Sequence, residues 1–396
     1  MTYRIALAAA LALTLPVTAQ AQVAAPGPAV AADRVASPDQ VAEAARQAMA
    51  DTGAKGLAIA VIDNGRVASV QSFGIRNAAG DPLTPDTIMY GASLTKALFA
   101  YYAMTLVDDG RLDLDRPIAD MLPRPLPDYG NLDRYGNWGD LKDDPRWRRI
   151  TPRMVLTHST GFANFAFLEP DGKLRIHFDP GSRYAYSGEG IELLQFGIES
   201  GLGIDLGTAL QMRVFDPLHM PRTSLIWRPA YRANLADGWT AEGKVEPHDE
   251  RSRVRAAGSM DTTIRDLANF AAALVRGQGL SPAAHAQMLR PTLPIMTAQQ
   301  FPSLLPDAPP EKRVADLAAG LGVLTFAGPQ GPGFYKGGHN DSTGNTLVCV
   351  QRGQRCVLIL ANDVRAEAAF PALVRTILGE TGVPYRWEYP ELFTGK

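Results

Sequence analysis

The stretch GASLTKALFA, residues 91–100, sets a small-residue turn at Gly91-Ala92 against a helix-forming run that carries Ser93 and, three positions on, Lys96. Residues three apart on a helix share a face, with Cβ atoms about 5 to 6 Å apart, so the amine reaches the hydroxyl. A serine hydroxyl is a poor nucleophile until a neighbouring base takes its proton. A lysine is that base only when burial or nearby charge brings its pKa down from about 10.4. The apolar neighbours Leu94, Ala97, Leu98 and Phe99 suit a desolvated amine, and equally a buried structural helix. The competing reading makes Ser93 a simple N-cap that accepts a backbone N–H, and the rest of the chain has to decide between the two.

Working outward, GLAIAVIDNGRVASVQSFG (56–74) reads as two strands joined at Asn64-Gly65, a strong hairpin signal, preceded by a helix over Pro38 to Met49. Helical patterns then dominate from Ser93 to about Arg290, broken by polar loops such as 123–149. Thr151-Pro152 and Ser281-Pro282 each set a capping hydroxyl before a first-turn proline. Thr263 to Asp266 forms a capping box ahead of the apolar face Ile264, Leu267, Ala268, Ala271, Leu274 and Val275. Strand patterns return in LAAGLGVLTFAG (317–328), GFYKGG (333–338), NTLVCVQ (345–351) and RCVLILAND (355–363), before a last helix from about Arg365 to Leu378. This order predicts an α+β molecule, an antiparallel sheet flanked by N- and C-terminal helices plus a large helical lobe. Residues 38–92 and 310–396 are expected to form the sheet-containing α/β lobe and 93–309 the mainly helical lobe, with the ligand site in the cleft between them.

Composition narrows the function. With 39 basic and 41 acidic residues the net charge is −2, which gives no footing for a nucleic-acid or anionic-membrane partner. At the N-terminus, Arg4 precedes an apolar run from Ile5 to Val17, and Ala19-Gln20-Ala21 follows. That pattern reads as a secretory signal peptide, residues 1–21, with a flexible Ala- and Pro-rich leader over 22–37, so the expected location is secreted, in a periplasm. The run is shorter than the roughly 20 residues a membrane helix needs, and no later segment supplies a membrane span. Cys349 and Cys356 flank the hairpin-like VQRGQR (350–355). An oxidising compartment allows a disulfide across it, the alternative being two buried free thiols.

Two further motifs, YSG at 186–188 and KGG at 336–338, follow SLTK at 93–96. In order and approximate spacing they resemble the S-x-x-K, Y-x-N or S-x-N, and K-T-G motifs of serine β-lactamases and penicillin-binding proteins. TIMYGASLTKALFA (87–100), ITPRMVLTHSTGF (150–162) and FDPGSRYAYSGEGIELL (178–194) extend the resemblance over nearly the whole mature chain. It is nearest to the class C β-lactamase-like serine hydrolases, which include family VIII carboxylesterases and D-aminopeptidase or DD-peptidase relatives. S-x-x-K alone is a weak signal, but three ordered motifs set the capping-only reading of Ser93 aside.

The resemblance implies a serine β-lactamase/DD-peptidase-like fold with Ser93 as the nucleophile that forms an acyl-enzyme. Lys96 and Tyr186 would share the proton work, and which of them is the general base stays open. A phenol of pKa about 10 acts as a base only beside cations that stabilise its phenolate, and Lys96 and Lys336 would supply two. The oxyanion hole would be the backbone N–H groups of Ser93 and His339, with Lys336, Gly337, Gly338 and Gly188 lining the substrate. A second register sets His339 itself at the lysine position; Lys336 is preferred because Gly338 then matches the motif's glycine. His158 reads as a structural hydrogen-bonder and Glu189 as a solvated or salt-bridged helix residue.

Two departures bear on the substrate. Gly188 replaces the second motif's asparagine and Gly337 the third motif's threonine, side chains that in the family hold a substrate amide and a substrate carboxylate. Glycine offers neither contact and is expected to open space for bulky groups. The expected activity is therefore a carboxylesterase on small esters. The alternatives are a β-lactamase or D-Ala-D-Ala carboxypeptidase with a variant pocket, or a non-enzymatic, acylated penicillin-binding sensor. The expected partner is a small-molecule ester or amide substrate. No G-x-S-x-G elbow, H-E-x-x-H pair or phosphate loop is present, so neither metal nor cofactor is implied, and the oligomeric state is unspecified.

Overall fold

The computed structural model describes residues 34–393; the signal peptide expected over 1–21 and the leader up to residue 33 lie outside the described residues. Residues 34–37, assigned to the leader by composition, pack onto the body. Ala36 is buried and its N–H donates to the carbonyl of Ile377 at 2.9 Å. Ser37 then closes a capping box with Gln40 at the head of the first helix.

Six helices position the site: α1 (Pro38–Thr52), α2 (Leu94–Asp108), α3 (Gly188–Phe196), α4 (Ile264–Arg276), α5 (Phe370–Leu378) and α6 (Tyr385–Glu388). Among the described residues the main sheet has eight strands: β1 (Gly56–Asp63), β2 (Arg66–Gly74), β3 (Leu293–Pro294), β4 (Ala318–Ala319), β5 (Leu324–Gly328), β6 (Gly331–Asn340), β7 (Thr343–Val350) and β8 (Arg355–Ala361). Their order is β2-β1-β8-β7-β6-β5-β4-β3, antiparallel throughout. The β1–β8 ladder joins the two ends of the chain.

Strand periodicity divides the core between the two faces of this sheet. Ala58, Ala60 and Ile62 of β1, with Leu358 and Leu360 of β8, pack into the helical lobe; Leu57, Ile59, Val61, Val357 and Ile359 pack beneath α1 and α5. Helix α2 is buried continuously from Leu94 to Leu106, as expected of a helix apolar on every side. Asn64 and Gly65 take φ of 49° and 68°, the two positive values a type I′ turn needs. Their N–H groups donate to Gly353 and Gln354 of the β7–β8 turn at 3.0 and 2.9 Å. Within that second hairpin Cys349 and Cys356 face each other and form a disulfide.

The lobes interleave more than their sequence boundaries suggest. Strand β3 belongs to the sheet although it precedes residue 310, and α4 lies across β1, β2 and β8. Only half of the expected capping box forms at α4. Thr263 accepts the Asp266 N–H at 3.0 Å, but the Asp266 carboxylate is drawn away by the Arg222 N–H at 2.7 Å and the Thr223 hydroxyl at 3.0 Å. Helix α6 was not expected. It brings Trp387 into the core, where the indole N–H donates to the carbonyl of Thr297 at 3.1 Å. No helix among the described residues is long and apolar enough to cross a membrane.

Candidate active site

Ser93 occupies the helix start in α2, with φ −72° and ψ −2°, yet its side chain makes no capping bond. Its Oγ accepts instead from Lys96 Nζ at 3.0 Å and from the Tyr186 hydroxyl at 2.8 Å. The hydroxyl therefore sits between two groups able to move its proton, and capping is not its role. Ala92 turns the chain into this position with a positive φ of 45°, a strained setting for a residue with a Cβ.

Lys96 is 1 % exposed. Burial brings its pKa down to about 7, partly opposed by the charge of Glu192. Its Nζ also donates to the carbonyl of Ala257, whose own N–H donates to Glu192 Oε1 at 3.2 Å. The backbone of Ala257 thus links the lysine to a fully buried carboxyl, which burial pushes up to about 7. Sequence reasoning missed Glu192; the available signal was an acid standing between Ile191 and Leu193 in an otherwise apolar turn of α3.

Tyr186 has two lysine amines near its ring, Lys96 Nζ at 5.0 Å and Lys336 Nζ at 5.1 Å from the centroid. Burial lowers the pKa of Lys336, with Tyr186 opposing. His158 lies tilted against the Tyr186 ring at 4.5 Å, and its Nδ1 accepts the Ser187 N–H at 3.2 Å. Burial, then the charges of Lys96 and Lys336, hold it well below its usual pKa, hence neutral. Its contacts are with the Tyr186-Ser187 segment that it positions. His339 turns instead to Glu367, 3.1 Å from its Nδ1, so Lys336, not His339, stands beside Tyr186.

Backbone geometry explains the third motif's glycine. A Cβ on Gly338 would lie 2.8 Å from the backbone nitrogens of both Ser93 and Leu94, so β6 lies against the start of α2 only without a side chain there. Cys349 and Cys356 have Cα atoms 4.1 Å apart, the close spacing of a non-hydrogen-bonded pair. Alternation through the β6–β7 register then turns the N–H and C=O groups of Gly337 and His339 away from β7. On that side β5 has already ended, its pairing reaching only Tyr335. The His339 N–H therefore faces a free sheet edge, one residue beyond the Gly338 that lies against the Ser93 nitrogen.

The expectation that Gly188 and Gly337 open space is overturned. A Cβ on Gly188 would come within 2.5 Å of the Phe165 ring, and one on Gly337 would collide with Oε1 of Glu388. Neither glycine has a positive φ, so the constraint is steric: an aromatic ring and a carboxylate fill the places a side chain would take. Glu189 is not solvated: it is buried, accepts the Ala166 N–H at 2.8 Å and has no salt-bridge partner among the described residues. Ser93, Tyr186, Lys336, Phe165, Phe167 and Glu388 all line one cleft of about 630 Å³. Burial pushes the Glu388 carboxyl up to about 7 against the pull of Lys336 and His339. It was invisible in the sequence because it arrives from α6, beyond every motif.

Comparisons with known proteins agree with this architecture. The chain is 30 % identical over 180 residues to a lovastatin esterase of Penicillium rubens, spanning 39 % of this chain and 44 % of that one. It is 28 % identical over 197 residues to a D-aminopeptidase of Gluconobacter oxydans, spanning 48 % and 35 %. The matched segments cover less than half the length of each of these two curated relatives. Among solved structures, an octameric penicillin-binding protein homologue from Pyrococcus abyssi superposes with a TM-score of 0.68 at 20 % identity, over 90 % of this chain and 80 % of that one. A family model described as Beta-lactamase matches residues 41–378, and the chain belongs to the Beta-lactamase family.

Proposed function

We propose that this chain is a serine hydrolase that works through a Ser93 acyl-enzyme, with small carboxylic esters as its substrates. The observation that carries the reading is the placement of Ser93 Oγ within hydrogen-bond reach of both Lys96 Nζ and the Tyr186 hydroxyl. In the proposed cycle the serine proton passes to one of these two groups as Oγ attacks the substrate carbonyl. The N–H groups of Ser93 and His339 take the negative charge on the carbonyl oxygen. Collapse expels the alcohol, which leaves with the transferred proton, and water repeats the sequence to release the acid and restore Ser93.

The ester preference is supported by Gly188 and Gly337, which offer no side chain to a substrate amide or carboxylate, by the aromatic lining from Phe165 and Phe167, and by the likeness to a lovastatin esterase. A missing neutral contact is worth about 0.5–1.5 kcal/mol and one to a charged group about 1.5–3. Specificity constants for short p-nitrophenyl esters should therefore exceed those for penicillins, cephalosporins and D-Ala-D-Ala peptides by at least about tenfold. An enzyme that prefers a β-lactam or a D-Ala-D-Ala peptide to every ester would replace the esterase reading with the β-lactamase or carboxypeptidase one. An adduct that forms and never turns over would make the protein a sensor. Export to a periplasm is part of the proposal, supported by the residue pattern of 1–21 and the Cys349–Cys356 disulfide. A mature chain that still carries Met1 would count against it.

A further inference from the structure

We infer that Glu388 forms a subsite for a protonated amine carried by the ester or amide substrate, an inference that rests on the Ser93 hydrolase reading. Glu388 ends α6 and is only 7 % exposed, yet it lines the cleft that holds Ser93. Its Oε2 meets no hydrogen-bond donor among the described residues. Buried carboxylates ordinarily gather donors, because desolvating an unpaired charge is costly.

The cations nearby act on Glu388 through their charge but bond other acceptors. Lys336 Nζ donates to the carbonyl of Gly337 at 2.6 Å, and His339 Nδ1 pairs with Glu367 at 3.1 Å. Two further carboxylates, Glu367 and Glu391, add negative charge around Glu388 and partly offset these cations.

The position of the carboxylate decides what it meets. Its Oε1 fills the space of a side chain at Gly337, two residues from the His339 N–H on the free edge of β6. A group bound there shares the cleft with Ser93. A substrate carboxylate at that point faces like charge, whereas an ammonium supplies both the missing donors and the opposite charge. Gly337 is accordingly the residue that makes room for Glu388.

The test compares p-nitrobenzyl esters of β-alanine, butyric acid and succinic acid, a cation, a neutral and an anion on near-identical frames. Assays run at pH 8, above the value of about 7 to which burial pushes the Glu388 carboxyl. The full-length enzyme should show kcat/KM about tenfold or more higher for the β-alanyl than for the butyryl ester, and about tenfold or more lower for the succinyl ester. In Glu388→Gln the ratio of β-alanyl to butyryl should fall to within about threefold of one. If that variant does not fold, n-butylamine should still inhibit the wild type more strongly than butyrate does. Equal kcat/KM for the β-alanyl and butyryl esters in the wild type, or a preference that survives in Glu388→Gln, overturns the subsite. Failure to turn over any of the three esters, with Ser93 unlabelled by a fluorophosphonate, overturns the hydrolase reading beneath it.

Discussion

Ser93 and Lys96 stand one helical turn apart, and that local relation brings amine and hydroxyl to 3.0 Å. Burial does the rest, because desolvation disfavours the ammonium and moves the proton off Lys96 at about pH 7. A base works when unprotonated, so acylation should rise as pH increases through about 7. The Glu192 carboxyl ionises in the same range and its charge favours the protonated amine, so the rise belongs to the coupled pair. Lys96→Ala and Tyr186→Phe should each slow acylation by at least about 100-fold, and the double variant should lose far less than the product of the two. Pre-steady-state acylation rates against pH decide which residue is the base. A limb lost in Lys96→Ala and kept in Tyr186→Phe names Lys96, and the reverse names Tyr186. A Tyr186→Phe enzyme at wild-type rate would remove Tyr186 from the chemistry.

At the scale of elements, strand β6 and the first turn of α2 build the site by touching. The contact is backbone against backbone, since Gly338 lies against the nitrogens of Ser93 and Leu94. Gly338→Ala should force the strand off the helix and spoil the oxyanion donors, lowering kcat by about 100-fold or more. Steady-state kinetics on a short ester check this, and an unchanged kcat would show that the contact is not needed. This part of the site was legible: S-x-x-K is a one-turn relation, Asn64-Gly65 announces its own turn, and KGG sits in a strand pattern. Glu192, Phe165 and Glu388 were not legible. Phe165 and Glu388 reach the cleft, and Glu192 the backbone behind Lys96, through tertiary packing of segments whose local sequence shows only a lone acid or a loop aromatic. Reading Gly188 and Gly337 as empty space failed for the same reason, because what fills a glycine's space comes from elsewhere in the chain.

Across the whole molecule, the β1–β8 ladder ties residues 57–62 to 356–361, so the site is assembled only when both ends of the chain have met. The continuous apolar runs made that sheet readable, and the long patterned insertion made the helical lobe readable. The interleaving of β3 and α4 with the sheet was hidden, because a two-residue strand and a helix's packing partner leave no periodic trace. The C-terminal segment is as much a part of the body as the sheet. Trp387 is 1 % exposed and bridges to Thr297. Trp387→Ala should destabilise the fold by about 3–5 kcal/mol, read as a lowered urea midpoint. A midpoint within error of the wild type would mean that the segment merely rests on the surface.

Hydrolysis by the proposed route requires a covalent intermediate on Ser93. Acid quenching during turnover of a short p-nitrophenyl ester, followed by proteolysis and mass mapping, would trap and locate it. One acyl group per chain is expected, on the peptide containing Ser93, with no adduct and no turnover in a folded Ser93→Ala protein. An acyl group on any other residue, or turnover retained in Ser93→Ala, would contradict that route.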